Sequence, residues 1–299
     1  MPLAKLIHNP GAGEEEHTPK DLIRLLESKG YTCEYSSIKE KGWDEISPEV
    51  DFLVIAGGDG TVRKVAKKLL NKKLLEKPVP LTILPLGTAN NIATTLKLNR
   101  EISEVVARWN MKQPRHFDVG KVSGLPDINF LIESLGFGTI PQLIREFKDK
   151  YKKNFDSPAE EIRAAQQLMH HILPTCNPAG CRIMLDGEDY SDDYIIVEVM
   201  NIKAVGPKLM LAPDADPGDG AFDVVMVKGS QREALGNYLL DSIHDHPTEM
   251  PIKPVKAKSI KIAWEGSVMH IDDEVLKLKK PIEIEIELKS GLLDVILPA

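Results

Sequence analysis

The chain of 299 residues contains no apolar run that approaches the roughly 18–20 residues needed to span a bilayer. Residues 1–13 carry one lysine and a short apolar stretch followed by polar, Gly and Pro residues, which does not fit a secretory signal. Cysteine is scarce, because only Cys33, Cys176 and Cys181 are present and no CxxC pair occurs. We therefore expect a cytoplasmic protein with reduced thiols.

Basic charge and aromatic side chains are also in short supply. The chain has 38 Lys and Arg residues against 45 Asp and Glu residues, a net charge of −7, and aromatics make up 5%. Nucleic-acid binding needs a basic footprint, and single-strand binding needs stacking platforms, so this composition excludes nucleic acid as the main partner. Hydrophobic residues at 42% and charged residues at 28% are typical of a folded globular chain.

The first 116 residues alternate strand and helix patterns. Thr18-Pro19-Lys20-Asp21 has the sequence of a helix start with a capping box, and residues 51–56 form a continuous apolar run after Asp51. Strands separated by helices favour a parallel sheet. We therefore expect residues 1–116 to form an open α/β domain.

Strand patterns predominate after that point. Residues 282–288 alternate Ile or Leu with Glu, as expected for a strand with one wet face. The predicted strands are 128–134, 181–186, 194–200, 221–228, 259–264, 267–271, 282–288 and 292–297, with helical segments near 141–152, 158–172 and 231–243. We expect residues 117–288 to form an antiparallel β-rich domain.

Three turn-rich loops each follow a predicted strand of the first domain. They are residues 9–13, 57–61 and 87–91. Ligands of open α/β sheets bind beyond the carboxyl ends of the strands, where glycines let a phosphate chain approach the backbone. A carboxylate beside phosphates is repulsive unless a divalent cation lies between them, so Asp59 favours a nucleotide bound with Mg²⁺. The alternative is a tight strand-to-helix turn in which Asp59 is only a cap.

These loops resemble a known pair of signatures. Gly57-Gly58-Asp59-Gly60-Thr61-Val62 and residues 85–91, PLGTANN, are similar to the motifs of the diacylglycerol kinase catalytic family. Residues 116–120, 211–215 with 219–220, and 271–274 resemble three further segments of that family, in the same order. The Walker, spaced GxGxxG, GxSxG and HExxH patterns are absent.

The resemblance implies a two-domain kinase with a Rossmann-like, NAD kinase- and phosphofructokinase-like N-terminal lobe and an antiparallel β-sandwich C-terminal lobe. It also implies that residues 289–299 return to the first lobe. By matching position, Glu274 is the general base and Asp59 a further catalytic residue, and Mg²⁺ is held by Asp216, Asp219 and Ala221. The implied ATP-binding residues are Asn9, Pro10, Gly11, Ala12, Gly13, Ser37, Gly57, Gly58, Asp59, Gly60, Thr61, Val62, Arg63, Lys64, Gly87 and Thr88.

This sequence departs from the family pattern at three places. Arg63-Lys64 stands where Asn-Glu is common, Asp273 replaces a glycine, and Asn91 stands where Asp is frequent. The resemblance favours an ATP-dependent kinase of a diacylglycerol-like membrane lipid. Two alternatives remain open: a kinase of a soluble hydroxyl compound such as NAD, and a non-catalytic nucleotide or lipid sensor.

Two basic clusters bear on the membrane. Contact with anionic head groups is one interpretation, and an ordinary solvated helix face is the other. The clusters are Arg63, Lys64, Lys67, Lys68, Lys72 and Lys73, and Arg145, Lys148, Lys150, Lys152 and Lys153. We expect peripheral, transient contact at the inner membrane surface. A homodimer is compatible with the sequence, which does not determine the oligomeric state.

Overall fold

The computed structural model describes residues 1–12, 17–71, 79–151, 155, 157–243 and 248–298. The chain divides into two compact units. Unit 1 is Met1–Phe117 together with Ser290–Ala299, and unit 2 is Asp118–Lys289. Gly13 and four lysines of the basic clusters, Lys72, Lys73, Lys152 and Lys153, lie outside the described residues.

Unit 1 is built on a parallel sheet with the strand order β2-β1-β3-β4. Its strands are β1 (Leu3–His8), β2 (Thr32–Ser37), β3 (Phe52–Gly57) and β4 (Leu81–Pro85). Its helices are α1 (Pro19–Ser28), α2 (Asp59–Asn71), α3 (Asn91–Thr95) and α4 (Ile102–Ala107). This is the α/β arrangement that the alternating pattern predicts.

The local signals of unit 1 act as expected. Every residue of β3 is buried, which explains its uninterrupted apolar sequence. Helix α1 begins after Thr18, whose side chain accepts the backbone N–H of Asp21, while the Asp21 carboxylate accepts the N–H of Thr18. The predicted capping box is therefore confirmed.

The described part of unit 2 consists mainly of antiparallel strands, with three α-helices. Its main path of strands runs β17-β16-β7-β10-β8-β15-β18, with β13 paired to β10 and β14 paired to β13. The strands are β5 (Arg115–Ser123), β6 (Phe130–Leu131), β7 (Ser134–Gly138), β8 (Ala179–Leu185), β9 (Glu188–Asp189), β10 (Asp192–Met200), β11 (Ala204–Val205), β12 (Leu209–Met210), β13 (Phe222–Lys228), β14 (Val255–Ala257), β15 (Ser259–Trp264), β16 (Val268–Ile271), β17 (Glu274–Lys277) and β18 (Ile282–Val295). The helices are α5 (Thr139–Lys150), α6 (Pro158–Ile172) and α7 (Arg232–Ile243).

The core of unit 2 has two parts. One cluster packs α5, α6 and α7 on the sheet through residues such as Ile140, Met169 and Leu235. The other lies among the strands and includes Phe137 and Trp264, whose ring centroids are 5.2 Å apart. An antiparallel β unit decorated with helices is the fold that the second half of the sequence predicts.

Two predicted boundaries differ from the structure. The predicted strand 128–134 is interrupted, because the N–H groups of Ile132 and Glu133 donate to the Asp272 carboxylate instead of to a strand. The predicted strands 282–288 and 292–297 are one strand, β18, in which Gly291 takes a left-handed φ of 71° without ending it. Within unit 1 the end of this strand pairs with β4 at Val295.

Candidate nucleotide and catalytic site

The three loops of the prediction meet at one edge of the unit 1 sheet. They follow β1, β3 and β4, which are parallel neighbours, so their carboxyl ends coincide. The Asn9 Nδ2 donates to Thr61 Oγ1 at 3.1 Å, which ties the first loop to α2. The Leu86 N–H donates to the Gly57 carbonyl at 3.1 Å, which ties the third loop to the second.

The second and third loops touch through their backbones. A Cβ on Gly87 would lie 2.5 Å from Gly58 Cα and 2.9 Å from Asn90 Oδ1, closer than real contacts allow. The Asn90 side chain in turn accepts the Gly87 N–H and donates to the Gly87 carbonyl. Only glycine at position 87 permits this approach, which explains why both loops carry glycine.

Asp59 joins these loops by a second route. It is the first residue of α2, and its two carboxylate oxygens accept the backbone N–H groups of Asn91 and Ile92 at 2.8 and 3.0 Å. A carboxylate at the start of a helix is also favoured by the helix dipole. The structure shows that Asp59 holds α3 in place, as the capping alternative allows, and its role in chemistry stays a prediction.

A cavity of about 260 Å³ opens beside these loops. Six of the residues that line it belong to the predicted ATP-binding set, and the seventh is Ile38. The predicted six are Asn9, Ala12, Gly58, Gly60, Thr61 and Lys64. The cavity therefore lies where the sequence placed the phosphate chain.

One basic side chain lines this cavity. Lys64 lies with its Nζ 5.1 Å from the centre of the Trp43 ring and 3.4 Å from the Ile38 carbonyl. The Lys64 cation is suited to a polyphosphate. The Lys39 Nζ lies beside the first loop, 3.0 Å from the position that a Cβ on Gly11 would take. Lys39 lies outside the glycine motifs and was not predicted.

The first basic cluster is partly exposed. Arg63 is buried, whereas Lys64 and Lys68 are exposed, and Lys68 forms an ion pair with Asp44 at 2.9 Å. The Lys64 ammonium lies over the Trp43 ring. Contact of this helix with a membrane stays a prediction.

Other predicted binding residues have different surroundings. Ser37 is buried at the end of β2, and its Oγ accepts the Lys39 N–H at 3.3 Å, so its neighbour Ile38 is the residue that lines the cavity. The Val62 side chain is buried in the core of unit 1. Pro10 and Thr88 are half-buried in the first and third loops.

In unit 2 the predicted metal loop is a network of turns. The Asp216 carboxylate accepts the Gly218 N–H, and the Asp216 carbonyl accepts the Asp219 N–H. The Asp219 Oδ1 accepts the Ala221 N–H at 3.0 Å, and its Oδ2 accepts the Lys256 ammonium at 2.6 Å. The Lys256 ammonium therefore already occupies one oxygen of Asp219, the predicted metal ligand.

Lys256 also reaches a second carboxylate. Its Nζ is 3.2 Å from Asp223, the residue opposite it in the β13–β14 pair. Burial opposes the charge of Lys256, but the hydrogen bond to Asp219 and the charge of Asp223 outweigh it and raise the lysine pKa. Burial likewise raises the pKa of Asp223, against the effect of Lys256.

Asp118 holds this loop through hydrogen bonds. It was not predicted as a site residue. It is completely buried, its Oδ2 accepts the Gly220 N–H at 2.9 Å, and its own N–H donates to the Pro217 carbonyl. Its carbonyl accepts the Asn201 side chain. Its Oδ1 has no hydrogen-bond partner within the described part of the structure. The only signal in the sequence was the resemblance of residues 116–120 to a family segment.

The loop has the donors that Mg²⁺ prefers. Carboxylate and carbonyl oxygens are hard ligands, and the buried Asp118 Oδ1 is an acceptor still to be satisfied. Among the described residues no group of three His, Cys, Asp or Glu side chains forms a metal cluster. The donor set therefore fits Mg²⁺ by its chemistry, provided that Lys256 releases Asp219.

Glu274, the predicted base, is exposed at the start of β17. The two acidic residues before it do not form one cluster with it. Asp272 is buried in a left-handed conformation with φ 53°, and its Oδ1 accepts two backbone N–H groups. Lys148 of α5 donates to the Asp273 carbonyl at 3.1 Å. In this turn the Asp272 carboxylate is therefore buried and structural, whereas the Glu274 carboxylate is exposed.

A parallel α/β unit with glycine loops at its strand ends, joined to an antiparallel β unit, is the architecture of a two-domain nucleotide-dependent kinase. Residues 4–122 match the diacylglycerol kinase catalytic domain. Residues 159–297 match the YegS C-terminal NAD kinase beta sandwich-like domain. The first part of the chain therefore carries a diacylglycerol kinase catalytic domain, and the predicted fold class is confirmed.

Known proteins resemble the chain over nearly its whole length. It is 27% identical to a diacylglycerol kinase of Bacillus subtilis (strain 168), over 92% of this chain and 90% of that protein. A diacylglycerol kinase of Staphylococcus saprophyticus is 25% identical over 94% of both chains. The crystal structure of a diacylglycerol kinase from Bacillus anthracis str. Sterne superposes with a TM-score of 0.71 at 24% identity, covering 99% of this chain and 96% of that one. That last likeness shows the shared fold.

The catalytic-domain match, together with diacylglycerol kinase relatives along nearly the whole chain, identifies the protein as a kinase that uses ATP. No helix in the described part of the chain is both long and apolar enough to cross a bilayer.

We predict that Asp59→Asn lowers turnover at least about a hundredfold, because it disturbs the loops that Asp59 holds together, and a misplacement of about 1 Å at a reacting group can cost about 10²-fold in rate. The amide keeps one acceptor but sets its NH₂ group against a backbone N–H of α3. Steady-state kinetics would measure turnover, and calorimetry would measure ATP binding.

The matched control is Asp51→Asn. The Asp51 carboxylate also accepts a backbone N–H, that of Leu3 at 2.7 Å, but at the start of β3 rather than in the loops. Near-normal turnover in folded Asp59→Asn protein would contradict the assignment.

Proposed function

We propose that the protein is an ATP-dependent lipid kinase that phosphorylates a hydroxyl group of a diacylglycerol-like membrane lipid. The observation that carries this proposal is the meeting of three turn-rich loops at one sheet edge, two of which line a cavity together with Lys64, in a chain that matches kinase relatives along its length. The family match favours this function over a kinase of NAD and over a non-catalytic sensor.

In unit 1, the loops would hold the phosphate chain of ATP. The cavity offers the backbone of Gly58 and Gly60, the Thr61 hydroxyl and the Lys64 ammonium. Phosphoryl transfer depends mainly on positioning and on neutralising the charge of the transferred group. Asp59 would contribute by holding the loops together, and Mg²⁺ bound with ATP would neutralise the phosphates.

In unit 2, Glu274 would accept the proton of the lipid hydroxyl while the oxygen–phosphorus bond forms and the bond from phosphorus to the leaving ADP oxygen breaks. A lipid hydroxyl is a poor nucleophile, so a positioned base is worth about 10²–10⁴ in rate. Glu274 is suited to this task because its side chain is exposed, whereas Asp272 is committed to backbone N–H groups.

The loop that contains Asp216, Asp219 and Ala221 would hold a second Mg²⁺ through one carboxylate and two carbonyls. When bound, the ion would supply charge to the loop supported by Asp118. Because Lys256 competes with the ion for Asp219, removing the Lys256 ammonium should change the affinity of the loop for Mg²⁺.

Contact with the membrane would be peripheral and transient, at the inner membrane surface. Lys148 and Lys150 of α5 are exposed, and Asp149 between them reduces their combined charge. Such contacts are screened over roughly 8–10 Å at physiological ionic strength, so added salt should weaken vesicle binding.

The function is tested by incubating the protein with labelled ATP and separate acceptors: vesicles containing diacylglycerol, vesicles of other extracted membrane lipids, and NAD. Label in the diacylglycerol arm is expected. Label only in NAD would identify a soluble-substrate kinase, and ATP binding without transfer to any acceptor would identify a sensor.

We predict that Glu274→Gln lowers turnover by about 10²–10⁴ and leaves ATP binding nearly intact, because only the proton acceptor is lost. Both quantities are measured on one preparation. Glu283→Gln, at an exposed glutamate of β18, is the control and should behave as wild type. Lost ATP binding would make Glu274 a nucleotide or metal residue, and unchanged turnover would remove it from the mechanism.

We predict that Lys256→Met strengthens Mg²⁺ binding at the loop, because the ion no longer competes with an ammonium for Asp219. Thermal unfolding with and without Mg²⁺, in the absence of ATP, would measure this as a larger rise in Tm for the variant. The double substitution Lys256→Met with Asp219→Asn should lose that rise. An equal response in all three proteins would contradict a cation site at this loop.

A further inference from the structure

A buried histidine and a buried glutamate lie behind the Glu274 turn. His270 of β16 and Glu198 of β10 are both inaccessible to solvent, and the His270 Nε2 is 2.8 Å from Glu198 Oε1. Their strands are not neighbours, since β7 runs between them. Buried ionisable pairs are costly, so this one needs an explanation.

The strand between them is open at one residue. Gly136 of β7 is opposite His270 on one side and opposite Glu198 on the other. A Cβ on Gly136 would lie 1.7 Å from Glu198 Oε2. The missing side chain is therefore what lets the glutamate reach across a whole strand to the imidazole.

The hydrogen-bond partners determine where the protons lie. The His270 Nδ1 is 2.7 Å from the Asp272 carbonyl, and a carbonyl oxygen can only accept, so Nδ1 carries a proton. Burial lowers the pKa of His270, but the negative charge of Glu198 and the hydrogen bonds to Glu198 and Asp272 outweigh it and raise the pKa. The imidazole therefore keeps both protons to a higher pH than a free histidine, and in that state it donates to both partners.

The carbonyl that His270 holds belongs to the turn before Glu274. Asp272 is fixed from two further sides: its N–H donates to the Ser134 carbonyl at 2.7 Å, and its carboxylate accepts from Ile132 and Glu133. Its left-handed backbone is unusual for a residue other than glycine. The turn therefore depends on these contacts for its shape, and Glu274 follows two residues later.

We propose that His270 and Glu198 form a buried charge pair that fixes the Asp272–Glu274 turn, and that both are positioning residues for the base. This inference rests on the function proposed for Glu274. Neither residue touches substrate. Their effect acts through the Asp272 carbonyl, and a misplacement of about 1 Å at a reacting group can cost about 10²-fold in rate.

The pair makes the turn sensitive to alkaline pH. Because the His270 pKa is raised in the folded protein, the pair is fully formed below the ordinary value of 6.5 and is lost as the pH rises through the folded value. Glu198 and Asp272 are the groups that act on this charge, and β7 adds no titratable side chain. The other charged residues on elements packed against β16 are Arg145, Glu146, Lys148, Asp149 and Lys150 of α5 and Glu274 and Lys277 of β17.

The test compares Glu198→Gln with wild type in three measurements: kinetics across pH, hydrogen exchange of the Asp272–Glu274 segment, and NMR titration of His270. Removing the carboxylate charge should lower the His270 pKa. The alkaline limit of kcat should move down with it, and exchange of the turn should become faster. The KM for ATP should not change, since the cavity belongs to unit 1.

Three further variants complete the design. His270→Asn keeps a donor that can replace Nδ1 and should retain more kcat than His270→Leu, which is expected to lose about 10–100-fold. Glu34→Gln is the control, because Glu34 pairs with the buried Lys5 in unit 1 and should not move the pH limit. The NMR signal of His270 is assigned by its absence in His270→Asn.

Wild-type exchange of the turn and an unmoved pH limit in Glu198→Gln would overturn the inference, as would equal kcat in the Asn and Leu variants. Failure of the proposed function is recognised separately. In that case Glu274→Gln retains activity, while exchange and NMR still report whether His270 holds the turn.

Discussion

The contact between the Gly58 and Gly87 backbones is the constraint on which the rest of unit 1 depends. It brings two strand-to-helix loops closer than side chains would allow. With the loops this close, the Asp59 carboxylate reaches the N–H groups at the start of α3, and the cavity forms beside α2. The loop glycines thus permit one close approach, and the contacts of Asp59 at the start of α3 depend on it.

Unit 2 contains buried acidic side chains, and each of them needs hydrogen-bond donors. Asp118 and Asp272 accept backbone N–H groups of neighbouring loops, and Glu198 accepts from an imidazole. Each contact offsets the cost of removing a charge from water and in return fixes a loop. The Asp216–Ala221 loop and the Glu274 turn are both held in this way, so the buried carboxylates determine the shape of the surface above them.

The sequence predicted those site residues that lie close together in short motifs. The loop residues Asn9, Gly58, Gly60 and Thr61 come together as expected because parallel strands place their carboxyl ends at one edge. Asp118 and Lys256 were not predicted, because each contacts a partner that is distant in sequence. Ser37 is one residue away from the cavity, a shift that a loose motif alignment cannot detect.

By itself, the sequence determined the two-part fold, the parallel sheet, the capping box at Thr18 and the family, because these depend on local periodicity, turn chemistry and short motifs. The tertiary structure alone decided that Asp59 ties two loops, that Lys256 occupies Asp219 and that Glu198 reaches His270 across Gly136. Such contacts join residues up to 72 positions apart. Which side chains share a buried space depends on strand order and register, and no local pattern records either one.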